Sequence, residues 1–140
     1  LANGMSSKLF LKIREEKGLA YAVKSNINAE KNYAYYLIYV GTTKEAVPEV
    51  KKIILQEFEN IKNMTEKDLK EAKQRVNGLM KVEKEESSKV MNDLLFAELA
   101  TKAEDYYESE KKINKVTLDE IKRLASDLIK EYSTAVILPK

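Results

Sequence analysis

The stretch GMSSKLFLKIREEKGLAYAV, residues 4–23, decides how this chain begins to fold. Its apolar side chains recur at the three- and four-residue spacing of one helix face: Met5, Leu9, Phe10 and Ile13. Gly18 follows at the position where a glycine commonly ends a helix. The pattern predicts a short amphipathic helix over residues 6–17, beginning near Ser6, and then the start of a strand.

Two segments after this helix have the composition of strands. Residues 19–28 and 33–42 are rich in Tyr, Val, Ile and Ala, and the polar Ala-Glu-Lys-Asn between them is turn-like. These segments predict a hairpin. The final STAVILP, residues 133–139, predicts a buried strand closed by Pro139. We assign four tyrosines mainly to packing within the sheet, with a peptide-binding face formed by strand addition as the alternative: Tyr33, Tyr35, Tyr36 and Tyr39.

The remaining apolar periodicity is helical. Thr42 and Thr43 are predicted to cap a helix that tolerates Pro48 in its first turn. Thr65, followed by acidic residues, predicts the N-terminus of the next helix. The apolar stripe then continues beyond the polar run EKEESS, residues 83–88, which leaves open one long helix with a solvated middle or two helices. Its carboxylates show no metal-ligand pattern: Glu83, Glu85 and Glu86.

A last pair of helices is predicted around residues 103–114 and from a Thr117 cap to about Tyr132. The complete order is α-β-β-α-α-α-α-β. This order predicts a single α+β domain over residues 1–140: a two-layer α/β sandwich in which helices cover one face of a mainly antiparallel sheet. Because three strands make a small sheet and LANG already leads into a helix, we expect a segment to be missing before residue 1.

Composition excludes several classes of function. The 25 basic and 23 acidic residues leave a net charge of +2 and alternate finely, which disfavours nucleic acid or an anionic membrane as a partner. The chain contains no His and no Cys, so it lacks the usual neutral-pH base and the usual zinc ligands. No apolar run approaches the roughly 20 residues of a membrane span. We therefore expect a cytoplasmic protein without a metal of its own.

The opening stretch closely resembles a signature in the C-terminal halves of insulinase-like (pitrilysin-type) zinc metallopeptidases, which include the mitochondrial processing peptidases. The segments TEKDLKEAKQRVNG, residues 65–78, and INKVTLDEIKRLASDLI, residues 113–129, resemble later helices of the same domain. The resemblance covers essentially the whole chain. It implies a processing-peptidase-like domain that lacks its N-terminal strand segment.

The resemblance also implies that two different domains contribute to the catalytic site. Family members hold zinc through His-x-x-Glu-His on a different, N-terminal domain, and this chain has no His. The other half contributes an arginine and a tyrosine, seven positions apart, that contact the substrate carbonyl. Arg14 and Tyr21 match this pair in type and spacing. We predict that they polarise the carbonyl and that three neighbours also contact substrate: Gly18, Leu19 and Ala20.

Ordinary structure remains an alternative for each residue of the pair. An arginine near a helix C-terminus is commonly solvated and complements the helix dipole, and a strand tyrosine commonly packs in the core. These observations leave three functions. The first is the substrate-binding half of a zinc peptidase, which acts on peptides together with a zinc-bearing domain or partner subunit. The second is an inactive scaffold or assembly subunit of the same family, and the third is an unrelated helical interaction module, which the hairpin and the signature disfavour. An unpaired sheet edge further predicts self-association.

Overall fold

A computed structural model of the protein describes residues 7–29 and 32–138. The described residues form two compact units. The first combines the described residues up to Lys62 with those from Arg123 onward, and the second runs from Asn63 to Lys122. The prediction of one domain over the whole chain stays a prediction.

The elements confirm the predicted α+β composition. They are α1 (Lys8–Phe10), a π-helix (Leu11–Glu16), β1 (Ala20–Ala29), β2 (Ala34–Thr42), α2 (Val47–Asn60), a 3₁₀ turn (Ile61–Asn63), α3 (Glu66–Glu83), α4 (Ser87–Ala100), a 3₁₀ segment (Ala103–Glu108), α5 (Ser109–Lys115) and α6 (Leu118–Leu128). No described helix is long and apolar enough to cross a membrane.

The first helix begins with a side-chain cap and ends at a glycine. Ser7 accepts a hydrogen bond from the backbone N–H of Phe10 at 3.3 Å, and Gly18 has the left-handed φ of +61° that favours glycine. The predicted helix is therefore confirmed over its described part. The predicted start near Ser6 and the apolar Met5 lie outside the described residues. The sequence pattern did not predict that α1 continues as a π-helix.

The predicted hairpin is confirmed. β1 and β2 pair antiparallel, with Val23 opposite Val40 and Ser25 opposite Ile38. Glu30 and Lys31 of the predicted turn lie outside the described residues. One face of this sheet carries the core, in which α1, the π-helix and α2 contribute to a single buried cluster: Leu9, Phe10, Ile13, Ala20, Val23, Val50 and Ile53. The helices thus cover one face of the sheet, as the two-layer prediction requires.

The start of α2 differs from the prediction. Its N-cap is Ala46, which makes no side-chain capping bond, so neither Thr42 nor Thr43 caps the helix. Thr42 instead donates its hydroxyl to the carbonyl of Leu19. Pro48 lies in the first turn of α2, where its missing N–H leaves no helix hydrogen bond unmade.

The second unit is helical. Thr65 caps α3 through a reciprocal pair of hydrogen bonds with Asp68, as its position predicted. The polar run at residues 83–88 is exposed and contains the break between α3 and α4, so two helices form instead of one long helix. Thr117 likewise exchanges backbone-to-side-chain hydrogen bonds with Glu120 at the start of α6, as predicted, but α6 ends at Leu128, before Tyr132.

The prediction of a C-terminal strand is wrong. Residues 133–138 have no strand structure and are exposed, Ile137 at 96%. A strand requires ladder hydrogen bonds to a neighbour, and in the described part of the chain β1 and β2 pair with each other. The apolar composition of the segment therefore predicted an extended, sheet-forming sequence without indicating its partner. Pro139, predicted to close this strand, lies outside the described residues.

Candidate functional site

Arg14 occupies the π-helix one turn beyond Phe10. Its guanidinium carbon lies 5.0 Å from the centre of the Phe10 ring, a distance at which a cation interacts favourably with the face of an aromatic ring. Its Nε lies 3.7 Å from a carboxylate oxygen of Glu15, and its side chain is 43% exposed. The stem is therefore packed while part of the guanidinium remains available to a ligand.

Tyr21 is the extra residue of a β-bulge. Ala20 pairs with Thr42 and Ala22 pairs with Gly41, so two steps along β1 match one step along β2. Such a bulge turns a side chain away from the regular alternation of the strand. Tyr21 is 86% exposed, and within residues 7–29 and 32–138 its hydroxyl has no hydrogen-bond partner. This exposure rules out the alternative that Tyr21 is a core residue.

The two residues predicted to act together, Arg14 and Tyr21, are in contact. The guanidinium carbon of Arg14 lies 5.7 Å from the centre of the Tyr21 ring, so the arginine contacts both aromatic rings. The guanidinium is permanently charged and carries several fixed N–H donors, and the phenol adds one neutral O–H donor. The arrangement therefore presents two kinds of donor from adjacent side chains on one exposed surface. Such a surface suits an oxygen that gains negative charge.

The connection between the π-helix and β1 fixes this pair. The Leu19 N–H binds the carbonyl of Ile13 at 2.8 Å, one residue farther back than in the usual glycine-terminated helix end, as a widened π-turn requires. The carbonyl of Leu19 accepts the hydroxyl of Thr42 at 2.5 Å. Both backbone groups of Leu19 are thus held by hydrogen bonds within the first unit.

The three neighbours predicted to contact substrate differ in their exposure. Gly18 is exposed, Leu19 is half-buried with its N–H and carbonyl both engaged, and Ala20 is buried in the core. The Gly18 N–H is also engaged, because it donates to the carbonyl of Arg14 at 3.1 Å. Their contact with substrate stays a prediction.

The predicted packing of the tyrosines against the core is confirmed for Tyr36, and the other three lie on an exposed face. Tyr36 packs edge-on against Phe58 with ring centres 6.1 Å apart, as expected for the covered face of the sheet. Tyr35 and Tyr39 point to the opposite face of β2, which the described helices of the first unit leave uncovered. Tyr33, just before β2, is also exposed and stacks on Tyr35 with ring centres 6.4 Å apart.

Sequence reasoning missed the contacts that attach the π-helix to α2. Lys12 pairs with Glu57, and the Lys17 Nζ lies 2.5 Å from a carboxylate oxygen of Glu49. A signal existed for the first pair, because Glu57 recurs at helical spacing with the apolar Val50 and Ile53. An acidic residue on a buried helix face needs a partner.

The described residues offer no zinc donor set. They contain no group of three or more His, Cys, Asp or Glu side chains that could hold a metal ion. Of the acidic residues in the polar run, Glu83 binds the ammonium of Lys89, and Glu86 accepts the Ser88 hydroxyl. The chemistry of these residues therefore does not fit a resident zinc ion.

Comparison with known proteins places the chain in a family. The model of the family described as "Peptidase M16 inactive domain" matches residues 1–76, more than half of the 140 residues. The uncharacterized zinc protease YmxG of Bacillus subtilis is 31% identical over 99% of this chain. The chain spans 35% of that relative's length.

Two solved structures have the same fold. A protease from Helicobacter pylori superposes with a TM-score of 0.71 and 19% identity, covering 91% of this chain and 31% of that one. A peptidase M16 inactive domain from Pseudomonas fluorescens superposes with a TM-score of 0.67 and 23% identity, covering 89% of this chain and 30% of that one. The family match over more than half of the chain shows that this chain belongs to the peptidase M16 inactive-domain family.

Proposed function

We propose that this chain is the substrate-binding, non-zinc-binding half of an insulinase-like zinc metallopeptidase. In this proposal Arg14 and Tyr21 polarise the scissile carbonyl of a peptide opposite a zinc site on another domain or subunit. The contact between these two side chains is the observation that carries the proposal. Their placement on an exposed surface leaves donors of both residues free to reach a substrate.

The chemistry follows from what happens to a carbonyl during peptide hydrolysis. Negative charge develops on the carbonyl oxygen, and donors already aimed at that oxygen lower the barrier because they need no rearrangement. Arg14 supplies charged N–H donors and Tyr21 supplies an O–H donor. Contact with Phe10 and Tyr21 limits the movement of the guanidinium before substrate arrives. Gly18, next to this pair, is proposed to offer its carbonyl to the substrate chain, since its N–H already donates to the carbonyl of Arg14.

The partners in the proposal are a zinc-bearing N-terminal peptidase domain, in the same polypeptide or as a separate subunit, and a peptide. The name of the Bacillus subtilis relative as a zinc protease supports this assignment, as does its length, about three times the matched region. No partner nucleic acid or membrane is proposed. Self-association and a cytoplasmic location stay predictions.

The alternative is a proteolytically inactive scaffold or assembly subunit of the same family. Exposed apolar side chains on α4 favour it, because a scaffold needs surfaces for other proteins: Met91, Leu95, Phe96 and Leu99. These side chains have no role in carbonyl polarisation. The two functions therefore depend on different residues and can be separated by mutation.

The experiment reconstitutes the chain with the zinc-bearing half encoded in the same or an adjacent gene. We expect no peptide cleavage by this chain alone, cleavage by the assembled pair, and loss of cleavage in an Arg14→Leu/Tyr21→Phe variant that still assembles. Assembly is measured by size-exclusion chromatography and cleavage with a fluorogenic peptide. Normal turnover by the double variant would contradict the proposal and support the scaffold alternative.

A further inference from the structure

Two lysine–glutamate pairs join the π-helix to α2. Lys12, in the second position of the π-helix, pairs with Glu57 near the end of α2. Lys17, immediately after the π-helix, pairs with Glu49 near the start of α2. The pairs run in opposite order along the two segments, so the π-helix and α2 are tied at both ends.

The two lysines flank the part of the π-helix that contains Arg14. Lys12 lies inside the π-helix, whereas Lys17 is its C-cap, and the backbone N–H of Lys17 donates to the carbonyl of Arg14. Lys12 and Lys17 are five residues apart, and in a regular α-helix such residues point about 140° apart. Both nevertheless pair with α2, so α2 holds the segment that contains Arg14 on both sides.

Glu57 is the buried member of the two pairs, and its burial limits where Lys12 can lie. The side chain of Glu57 is 3% exposed, and one of its oxygens accepts hydrogen bonds from Lys12 and, at 2.9 Å, from Asn60. A buried carboxylate without a partner is strongly unfavourable. The hydrogen bond to Glu57 also raises the pKa of Lys12 above its ordinary value, as expected for an ammonium paired with a carboxylate. The Lys12 position is therefore tightly constrained by α2.

Arg14 lies between the two lysines, so the geometry that places them also sets the direction of Arg14. We propose that Glu49 and Glu57 are positioning residues: by holding Lys12 and Lys17 they maintain the π-helix that places Arg14 against Tyr21. This inference rests on the proposed function, in which Arg14 and Tyr21 act together on a carbonyl. Neither glutamate touches substrate in the proposal. Their effect is exerted through the direction of the guanidinium.

The test is nuclear magnetic resonance of the full 140-residue chain. Aromatic rings displace the resonances of protons held over them, so the Hδ and Hε shifts of Arg14 report its contact with Tyr21. A Tyr21→Leu variant defines the shifts without that ring. We expect Glu49→Gln/Glu57→Gln to move the Arg14 shifts toward the Tyr21→Leu values. Asp127→Asn, which removes an exposed pair with Lys130, is the control and leaves them unchanged.

A charge exchange keeps the test valid if loss of the buried Glu57 prevents folding. Lys17→Glu alone is expected to move the Arg14 shifts, and Lys17→Glu/Glu49→Lys is expected to restore them, because the exposed pair is rebuilt with reversed charges. A folded Lys17→Glu or Glu49→Gln/Glu57→Gln protein with unchanged Arg14 shifts would overturn the inference. If the shifts move while turnover of the assembled enzyme is unchanged, positioning holds and the carbonyl role of Arg14 fails.

Discussion

The guanidinium carbon of Arg14 lies 5.7 Å from the centre of the Tyr21 ring, although one residue belongs to a π-helix and the other to a β-bulge. Two departures from regular secondary structure thus meet at one place. The π-turn widens the end of the helix, and the bulge turns Tyr21 outward from its strand. Together they form the surface to which we assign carbonyl polarisation.

Replacement of Tyr21 by Phe removes one O–H donor and leaves the ring beside Arg14 in place. In the assembled enzyme we expect kcat to fall by roughly 10²–10³, the usual effect of losing one such donor, with little change in KM. Tyr107→Phe is the matched control, because Tyr107 is an exposed tyrosine in the second unit. Steady-state kinetics on one peptide measures both, and equal kcat values for the two variants would refute the assignment.

Arg14→Lys keeps the charge but removes the planar set of N–H donors. We expect a clear loss of kcat/KM in the assembled enzyme and a melting temperature close to that of the unmodified protein, since no apolar volume leaves the core. Arg123→Lys, in α6, provides the control for arginine replacement. Full activity accompanied by a lower melting temperature would instead indicate a structural role for Arg14.

The two glycines Gly18 and Gly78 are expected to respond to alanine in opposite directions. Gly18 has φ of +61°, and a Cβ in this left-handed conformation costs about 1–2 kcal/mol, so Gly18→Ala should lower the free energy of unfolding by that amount. Gly78 lies within α3 with open space where a Cβ would be added, and Gly78→Ala should raise this free energy by about 0.5–1 kcal/mol. Urea denaturation measures both changes; a shift of the same sign would contradict the conformational argument.

Thr65 and Thr43 test helix capping. Thr65→Ala removes a side-chain acceptor of the Asp68 N–H at the start of α3, and we expect a loss of about 1 kcal/mol in unfolding free energy. Thr43 precedes α2, but the N-cap there is Ala46, so Thr43→Ala should change stability by no more than about 0.5 kcal/mol. Thermal denaturation compares the two, and a larger effect at Thr43 would show that it does cap α2.

Asp105 is expected to titrate at unusually low pH. A hydrogen bond from Thr101 and the nearby ammonium of Lys112 lower the pKa of Asp105 below its ordinary 3.8. Since the folded pKa is below the unfolded value, these contacts contribute stability above pH 3.8 that is lost as pH falls through the lowered pKa. A carbon-13 titration of the carboxyl group measures the pKa. Thr101→Val and Lys112→Met should each raise it toward 3.8, and an unchanged pKa in both variants would contradict this account.

Local signals in the sequence were sufficient to predict most of the helices and the hairpin. A cap residue followed by an acidic residue marks a helix start because both groups of the capping box lie within four consecutive residues, as Thr65 and Asp68 do. Gly18 marked a helix end for the similar reason that its left-handed conformation is set by the local backbone. The pairing of β1 with β2 followed from two strand-like segments joined by a short turn.

Features that depend on distant partners were not evident from local patterns. The exposed STAVIL segment had the composition of a strand, but a strand forms only against a neighbouring edge. Tyr33, Tyr35 and Tyr39 looked like packing residues, yet they are exposed, and the face of β2 on which Tyr35 and Tyr39 lie carries no described helix of the first unit. In both cases the residue types indicated a strand or a packed side chain, and the presence or absence of a neighbouring element determined whether it formed.

The sequence by itself determined the α+β composition, the absence of a histidine-based zinc motif, and Arg14 and Tyr21 as the candidate pair, because these depend on residue type and spacing. Only the tertiary structure decided that the pair meets. Their contact depends on a π-turn tied to α2 by Glu57 and Glu49 and on a bulge in β1. Both irregularities form against neighbouring elements, so the spacing of residues along the chain does not encode them directly.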